Sequence, residues 1–295
     1  MTIADLRVTL PKLDPRDIDL LLAHVCGRDR TWVLAHPETT IHPGRIARLR
    51  RLVARRQRGE PLPYLIGEQW FFGRSFRVTS DVLIPRPETE LLVELATTTA
   101  HYPHTTIIDV GTGSGCIAVT LATEMPHARL VAIDTSPTAL RIARKNARRH
   151  RVQHRIAFVH GDLLHAKTPH AQRIIPHTPL LLLANLPYLS TAEWRALPRS
   201  LRLFEPRLAL DGGKNGCTPF RRLFLQARSL AYDRPVTMLL EIDPRRKRAL
   251  ETLTKKILPT WTMSWHRDGA SRWRVLAVQS PVATRSHDAA HRSID

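Results

Sequence analysis

Asp109-Val-Gly-Thr-Gly-Ser-Gly115 is the segment from which the architecture of this chain can be worked out. The apolar residues that lead into it, Thr106–Val110, have the composition of a buried strand, and those that follow, Cys116–Glu124, have that of a helix. Glycines between a strand and a helix permit a tight turn and a close approach of the backbone to a ligand, while the helix N-terminus offers free N–H groups. The segment therefore predicts a strand–loop–helix unit that binds a nucleotide-like cofactor.

Strands and helices alternate in the residues that follow. Apolar runs predict further strands at residues 129–133, 156–160, 180–184 and 237–242, and amphipathic patterns predict helices at 137–149 and 244–256. This alternation is typical of a parallel sheet covered by helices on both faces, so we expect an α/β fold. A last apolar hairpin is flanked by three tryptophans that we expect to pack in the core or at an edge: Trp261, Trp265 and Trp273.

Acidic residues end two of the predicted strands. Asp134 lies about 20 residues after Gly111, which is the spacing of an acid that binds ribose hydroxyls, and its carboxylate can accept two hydroxyl donors. Asp162 ends the next strand, where its carboxylate can accept a hydrogen bond from the exocyclic amine of an adenine that packs on Leu163. Either acid alone is also explained as a cap of the following segment. Together they favour a nucleotide-type ligand at the carboxyl edge of the sheet.

The glycine spacing separates two classes of cofactor. Dinucleotide-binding enzymes use GxGxxG, whereas this chain has GxGxG after an acid, which resembles the motif of S-adenosylmethionine-dependent methyltransferases. We therefore expect S-adenosyl-L-methionine as the cofactor. The residues predicted to bind it are Gly111, Thr112, Gly113, Ser114, Gly115, Asp134, Asp162, Leu163 and Asn185.

Asn185-Leu-Pro-Tyr188 follows the strand at 180–184 and has the residue types that N-methylation requires. An amide or aryl amine nitrogen is a poor nucleophile, because its lone pair is delocalised. The Asn185 side-chain oxygen and the Leu186 carbonyl can accept the two N–H donors of such a nitrogen and orient it. Pro187 stiffens the loop and Tyr188 can pack over the substrate plane. These four residues are the predicted substrate-binding and catalytic set, and they leave open whether a glutamine amide or an adenine amine is methylated.

Composition limits the class of protein. The 295 residues include 45 Lys+Arg and 26 Asp+Glu, a net charge of +19 that favours an acidic partner such as RNA, although general arginine enrichment explains it equally well. The cysteines, Cys26, Cys116 and Cys217, are few and far apart, and the histidines show no ligand spacing, so we expect neither disulfides nor a metal. No apolar run is long enough for a membrane span, and the first residues have no apolar core of a targeting signal. We expect a cytoplasmic monomer with no membrane partner.

The N-terminal residues have a different pattern. We predict a helical domain at residues 1–70, a β-hairpin linker at 71–87 with its turn at Thr79-Ser-Asp81, the sheet domain at 88–279, and a disordered tail at 280–295. The helix at 43–58 carries the densest arginine cluster, which is either a solvated face or a docking surface for an acidic partner such as RNA or the ribosome. After the linker, Arg86, Glu88 and Glu90 either cover the ligands or tie the linker to the sheet domain.

Several segments resemble the HemK/PrmC family, the N5-glutamine methyltransferases of peptide chain release factors. They are Arg58-Gly-Glu-Pro-Leu-Pro-Tyr64, Asp81-Val-Leu-Ile-Pro-Arg-Pro-Glu-Thr-Glu90, Glu205-Pro-Arg-Leu-Ala-Leu-Asp-Gly-Gly213, Phe220-Arg-Arg-Leu223 and Leu240-Glu-Ile242. The resemblance implies a Rossmann-like seven-stranded class I methyltransferase domain with a small N-terminal helical domain that helps to hold the substrate. It implies that the substrate is the glutamine in the GGQ motif of a release factor, gripped by Asn185–Tyr188.

Two positions depart from the family pattern. The family usually has Asn-Pro-Pro-Tyr, but this chain has Leu186, and Asn-Leu-Pro-Tyr is familiar from rRNA adenine dimethyltransferases. Leu163 stands where an aromatic residue is frequent, so adenine would pack on an aliphatic surface. Together with the charge, Leu186 keeps open an RNA-directed alternative, a methyltransferase acting on adenine N6 of rRNA or DNA. A ribosomal-protein glutamine is another possible substrate, and a further alternative is a non-catalytic basic module that binds RNA or the ribosome.

Overall fold

The computed structural model describes residues 1–10, 13–99, 105–166 and 178–281. Its first part is a helical domain, as the sequence predicts. Side chains of Asp14 and Asp29 cap two of the helices, and Gly27 ends one of them in the left-handed conformation. The helices are α1 (Ile3–Thr9), α2 (Pro15–Cys26), α3 (Arg30–Ala35), α4 (Pro43–Gln57) and α5 (Leu62–Ile66). Their apolar faces meet in one core around Leu21, Leu22 and Leu49.

The large sheet is mostly parallel. The strands are β1 (Glu68–Phe71) and β2 (Arg74–Arg77), which form a separate hairpin, and β3 (Thr106–Val110), β4 (Arg129–Asp134), β5 (Ile156–Asp162), β6 (His165–Ala166), β7 (Leu180–Ala184), β8 (Val236–Glu241), β9 (Thr262–Arg267) and β10 (Trp273–Gln279). Their order in the large sheet is β6-β5-β4-β3-β7-β8-β10-β9. Strands β5, β4, β3, β7 and β8 are parallel, while β6, β9 and β10 pair antiparallel to their neighbours. The α/β prediction is thereby confirmed.

Helices cover both faces of the sheet. They are α6 (Glu90–Thr99), α7 (Cys116–Glu124), α8 (Pro137–Arg149), α9 (Thr191–Ala196), α10 (Arg199–Phe204), α11 (Thr218–Leu230) and α12 (Lys247–Ile257). Successive strand residues face opposite sides, so Leu182 packs with α11 on one face while Leu181 and Leu183 pack with α6 and α7 on the other. The tryptophans of the last hairpin are half-buried and pack against the core on the Leu182 face, as expected: Trp261, Trp265 and Trp273.

The linker hairpin lies earlier in the chain than the sequence predicts. Strands β1 and β2 are joined by Phe72 and Gly73, both at positive φ (49° and 68°), which is the two-residue turn that suits a twisted hairpin. The predicted hairpin turn at Thr79–Asp81 is wrong: Thr79 and Asp81 hydrogen-bond to each other in a local turn. The alternation of apolar residues continues beyond Arg77 because Val78 and Val82 are buried against α8, and not because this segment pairs as a strand.

The sheet domain continues past the last strand into the segment predicted to be a tail. Ser280, which the sequence placed in the disordered tail, is buried and exchanges hydrogen bonds with Val236, so the sheet domain includes this residue. The rest of the predicted disordered tail, from residue 282, lies outside the described residues. Among the described residues, no helix has the length and apolarity to cross a membrane.

Candidate active site

A cavity of about 380 Å³ lies at the carboxyl edge of the parallel strands. The residues that follow β3, β4, β5 and β7 meet there, because parallel strands end at the same edge of a sheet. Of the predicted ligand-binding residues, those that line it are Gly111, Thr112, Gly113, Ser114, Asp134, Asp162, Leu163, Asn185, Leu186 and Pro187. Gly115 and Tyr188 do not line it. The predicted site residues therefore come together, apart from these two.

The glycine loop is held from below by strand β4. Gly111 and Thr112 donate their N–H groups to the Ile133 carbonyl, at 2.8 and 2.9 Å. Gly115 has a positive φ (81°), and a Cβ there would lie 2.9 Å from the Cβ of Ala143, so this glycine lets α7 and α8 pack closely. Gly113, also at positive φ (53°), lines the cavity, and a Cβ there would lie 3.9 Å from the Gly111 carbonyl oxygen, an ordinary contact. The loop thus presents backbone to a ligand.

Asp134 fixes the glycine loop to the end of β4. One carboxylate oxygen accepts the Gly113 N–H and the other accepts the Ser136 N–H, both at 2.8 Å. The residue is 8% exposed, and burial raises the pKa of its carboxyl. Each oxygen retains a lone pair, so the carboxylate can still accept ligand hydroxyls from the cavity. The N-cap of α8 is Ser136, whose hydroxyl accepts the Ala139 N–H, so Asp134 holds the N-cap residue but does not cap the helix itself.

Asp109 is a buried acid with one unused oxygen. Its Oδ2 accepts from the Thr112 hydroxyl at 2.6 Å and from the Ala118 N–H at 3.2 Å. Its Oδ1 has no partner among the described residues, although the side chain is fully buried. Burial raises the pKa of this carboxyl to about 7. Asp109 does not line the cavity, but its carboxylate beneath the glycine loop would favour a positive charge on a ligand held by that loop.

Asp162, which is predicted to bind the adenine, forms an ion pair that the sequence did not predict. The Asp162 carboxylate is half-exposed and forms an ion pair with Arg222 of α11, at 2.6 Å through Oδ2. Leu163 follows at a positive φ of 56°, which is uncommon for a residue with a branched side chain, and lines the cavity. The left-handed turn reverses the chain between β5 and β6. The sequence could not indicate Arg222, which lies 60 residues further along the chain.

The Asn185 amide is held by two residues from other segments. Its Nδ2 donates to the Thr89 hydroxyl at 3.0 Å, and that hydroxyl donates to Glu241 Oε2 at 2.6 Å. Thr89 and Glu241 are 2% and 1% exposed. Burial raises the pKa of Glu241 to about 7. Both residues stand in segments that drew attention in the sequence, but neither was predicted to belong to the site.

The other residues of Asn185–Tyr188 have distinct surroundings. Leu186 lines the cavity, and its side chain is buried in the core of the sheet domain, close to Gly111 of the glycine loop. Tyr188 packs against the same core, and burial raises the pKa of its phenol to about 12. The Gly212 backbone lies directly against the Pro187 carbonyl, and Arg246 donates to the Tyr188 carbonyl. The loop is therefore supported by Gly212, which also lines the cavity, and by Arg246.

The acidic and basic residues after the hairpin tie the linker to the sheet domain. Arg86 pairs with the buried Glu205 at 2.5 Å, and Glu90 accepts the Phe72 N–H at 2.7 Å. Arg86 also lines the cavity, so its pairing with Glu205 fixes the segment before α6 at the edge of the site. Of the two roles that the sequence allowed for these residues, Arg86 and Glu90 make linking contacts, while Arg86 also lies where it can cover a ligand. No cluster of metal-ligating side chains occurs within the described residues.

Comparison with known proteins matches both parts of the chain. The family described as PrmC N-terminal domain matches residues 7–67, and the family described as Methyltransferase small domain matches residues 87–181. A release factor glutamine methyltransferase of Geobacter sulfurreducens is 41% identical over 212 residues, which cover 72% of this chain and 70% of that protein. The protein of the same name from Cereibacter sphaeroides is 38% identical over 258 residues, covering 85% and 88%.

Solved structures share the fold at low sequence identity. The hMettl16 catalytic domain in complex with MAT2A 3′UTR hairpin 1 superimposes with a TM-score of 0.54 and is 15% identical, covering 81% of this chain and 84% of that one. The same domain with hairpin 6 gives a TM-score of 0.52 at 16% identity, covering 81% and 82%. At these identities, the likeness concerns the architecture of the methyltransferase sheet alone.

Proposed function

This chain belongs to the family of release factor glutamine methyltransferases, and from that premise we propose that it transfers a methyl group from S-adenosyl-L-methionine to the side-chain nitrogen, N5, of the glutamine in the GGQ motif of a peptide chain release factor. The observation that carries the proposal is that Asn185 lines the same cavity as the glycine loop and Asp134. A group that can grip an amide thus lies beside a nucleotide-type site. The enzyme would act in translation termination, as a cytoplasmic monomer.

The cavity residues fit S-adenosyl-L-methionine. The glycine loop, Gly111–Gly115, would lie along the methionine part, where the unpartnered Asp109 Oδ1 suits a cationic ligand. Asp134 would accept the ribose hydroxyls, while Asp162 and Leu163 would hold the adenine. When bound, S-adenosylmethionine would supply an electrophilic methyl group. A bond from the substrate nitrogen to the methyl carbon would form as the carbon–sulfur bond breaks, S-adenosylhomocysteine would be the leaving group, and the nitrogen would lose one proton to solvent.

The chain's contribution to the reaction is positioning. Asn185 Oδ1 and the Leu186 carbonyl accept the two N–H donors of the substrate amide, and this directs the face of the nitrogen toward the cofactor. Leu186 provides the same carbonyl acceptor as the usual proline, so the replacement preserves the grip. Pro187 restricts the loop that holds both acceptors. A contact of Tyr188 with the substrate plane stays a prediction, since its ring packs against the core.

The helical domain is proposed to hold the release factor. Three arginines of α4 or its end have partners within the chain: Arg48 with His24, Arg55 with Glu60, and Arg56 with Asp17. Others are exposed and have no ion pair with any described residue: Arg45, Arg50, Arg51 and Arg58. These four could attract an acidic surface, and contact with RNA or the ribosome through α4 stays a prediction.

Labelling of a purified release factor tests the proposed function. With cofactor that carries a radioactive methyl group, we expect protease-sensitive label on the release factor, and a mass gain of one methyl group on the glutamine of its GGQ peptide. A release factor whose GGQ glutamine is replaced is the matched control and should stay unlabelled. RNase-sensitive label on added ribosomes would favour the adenine alternative. Cofactor binding without any transfer would favour the non-catalytic one.

Cofactor affinity should depend on pH through Asp109. Burial raises the pKa of this carboxyl to about 7, so it gains its charge as the pH rises through that value, and the charged form suits a cationic ligand. We expect binding to be about tenfold weaker at about pH 6 than at about pH 8, by calorimetry. Asp109→Asn should weaken binding at the higher pH and remove most of the pH dependence. An equally steep profile in this variant would contradict the assignment.

A further inference from the structure

We infer that Thr89 and Glu241 are positioning residues that together determine which end of the Asn185 amide faces the substrate. The inference rests on the proposed function, because it concerns the grip on the substrate nitrogen. It adds two residues from separate segments of the chain to a site that the sequence located in Asn185–Tyr188 alone. It also explains how one amide, free to rotate about its last bond, presents an acceptor rather than a donor.

The fold brings the three side chains to one place. Strands β7 and β8 are parallel neighbours with Ala184 opposite Leu240, so Asn185 and Glu241 follow next to each other at the sheet edge. Strand alternation puts them on the face of Leu183 and Leu239, which α6 covers. Thr89 immediately precedes α6. The start of this helix therefore lies over the ends of both strands.

The hydrogen-bond chemistry allows one orientation of the amide. A hydroxyl has a single proton to donate, and an ionised carboxylate can only accept. The 2.6 Å separation of Thr89 Oγ1 and Glu241 Oε2 matches a charge-assisted bond, so the threonine proton is committed to Glu241. Toward Asn185, the Thr89 oxygen is then an acceptor alone. The Asn185 group that lies 3.0 Å from Thr89 Oγ1 must therefore be the NH2 group, and Oδ1 is turned away from Thr89.

This orientation matters because the substrate nitrogen offers N–H donors. Asn185 Oδ1, which no described residue satisfies, can accept one of them. In the flipped amide, NH2 would face the substrate N–H and Oδ1 would face an oxygen that has no proton left, so both contacts would be lost. Thr89 and Glu241 are almost completely buried, so the hydroxyl cannot exchange Glu241 for bulk water. The pair therefore holds Asn185 in its accepting state before substrate arrives.

Protonation of Glu241 would release this control. Burial and the nearby Glu88 favour the neutral form of Glu241, whereas Arg274 of β10 and Arg86 favour its carboxylate. Cys116 of α7 and Tyr188 are also close enough to interact electrostatically with Glu241. A protonated Glu241 can donate to Thr89, which frees the threonine proton for Asn185 Oδ1. The flipped amide then becomes competitive. The turnover number should accordingly fall as the pH drops through about 7, the value to which burial raises the pKa of Glu241.

A pair of variants at position 89 tests the inference. Thr89→Val removes the hydroxyl and keeps the shape, whereas Thr89→Ser retains the hydroxyl. We expect kcat for the release factor to fall about tenfold in Thr89→Val, the cost of roughly one hydrogen bond, and to stay near that of the unmodified enzyme in Thr89→Ser. The KM for the cofactor should change little in either. Equal kcat values for the two variants would overturn the inference.

Glu241→Gln provides the second test. The neutral amide keeps the size of the side chain but can either donate a hydrogen bond to Thr89 or accept one from it. When it donates, the Thr89 proton is free to bond Asn185 Oδ1 and the flipped amide is populated, so kcat should drop several-fold. The decline of kcat at acidic pH, measured at saturating cofactor, should become shallower because Glu241 no longer titrates. A variant whose kcat and pH profile match those of the unmodified enzyme would also overturn the inference.

A measurement without turnover separates this inference from the proposed function. In asparagine-labelled protein, the side-chain NH2 signals of Asn185 should be sharp and slow to exchange in the unmodified chain and in Thr89→Ser, and broadened in Thr89→Val. If the unmodified enzyme fails to label a release factor but shows this pattern, the proposed substrate is wrong and the amide control stands. If labelling succeeds and the signals are alike in both variants, the amide control is wrong.

Discussion

Asn185→Ala is expected to lower kcat for release-factor methylation by about 10³-fold, the scale of losing a preorganised polar contact at a reacting centre. The variant removes the Oδ1 acceptor, and with it the group that orients the substrate nitrogen. The Leu186 carbonyl alone accepts one N–H, which leaves the amide free to rotate about that bond. The loss should therefore appear in the transfer step and not in the capture of the release factor.

Single-turnover measurement at saturating enzyme isolates that step. Cofactor affinity, measured by calorimetry, should stay within a few-fold of the starting value, because the cofactor is expected to be held mainly by the glycine loop, Asp134 and Asp162. A preserved melting temperature would show that the buried Thr89–Glu241 pair tolerates the loss of its neighbour. Normal turnover in Asn185→Ala would refute the role assigned to this side chain, whatever the variant's affinity for cofactor.

The central strands were predictable because a strand buried on both faces has a recognisable sequence pattern. Parallel strands covered on both faces are continuous apolar runs, and Leu180–Ala184 is such a run, with every residue buried. The glycines and acids that end these runs mark the carboxyl edge. Since all parallel strands end there, residues far apart in the chain could be assigned to one site, and the cavity lined by Gly111, Asp134 and Asn185 confirms that they meet.

The hairpin was misplaced because alternation reports burial and not pairing. Val78, Val82 and Ile84 are buried against α8, so the pattern of a half-buried strand continues after β2 has ended. A better signal was present in Gly73, since a glycine in a two-residue connection permits the positive φ that such turns need. Turn chemistry was therefore more informative than hydrophobic pattern in this segment.

Thr89 and Glu241 could not be assigned from the sequence because their role depends on register. Only the pairing of Ala184 with Leu240 places Glu241 beside Asn185, and only the packing of α6 brings Thr89 over both. Similarly, the support of Pro187 comes from Gly212, in a segment that follows two further helices. Contacts between the ends of distant elements leave no local pattern in the sequence.

Gly212→Ala is expected to reduce kcat by about 10²-fold, the scale that a misplacement of about 1 Å can cause. A Cβ at this position would overlap the Pro187 carbonyl oxygen and lie 3.0 Å from its carbonyl carbon. The Gly212 N–H also donates to the Leu189 carbonyl at 2.7 Å, so the two segments cannot separate without losing a hydrogen bond. Because φ of Gly212 is not in the left-handed region, the backbone itself tolerates alanine. The effect is therefore one of position: the loop must move, and the acceptors of Asn185 and Leu186 move with it.

Gly269→Ala is the matched control, because Gly269 also lacks a positive φ and has nothing within 4 Å of its Cβ position. We expect it to keep normal turnover. In Gly212→Ala, cofactor affinity should change far less than kcat, since Gly111 and Thr112 of the glycine loop are held by hydrogen bonds to Ile133. Leu186 makes this chain especially dependent on the contact: where the family's usual proline would restrict φ, leucine does not, so packing from Gly212 must hold the loop in place. Equal turnover in the two alanine variants would mean that the loop is positioned by other contacts.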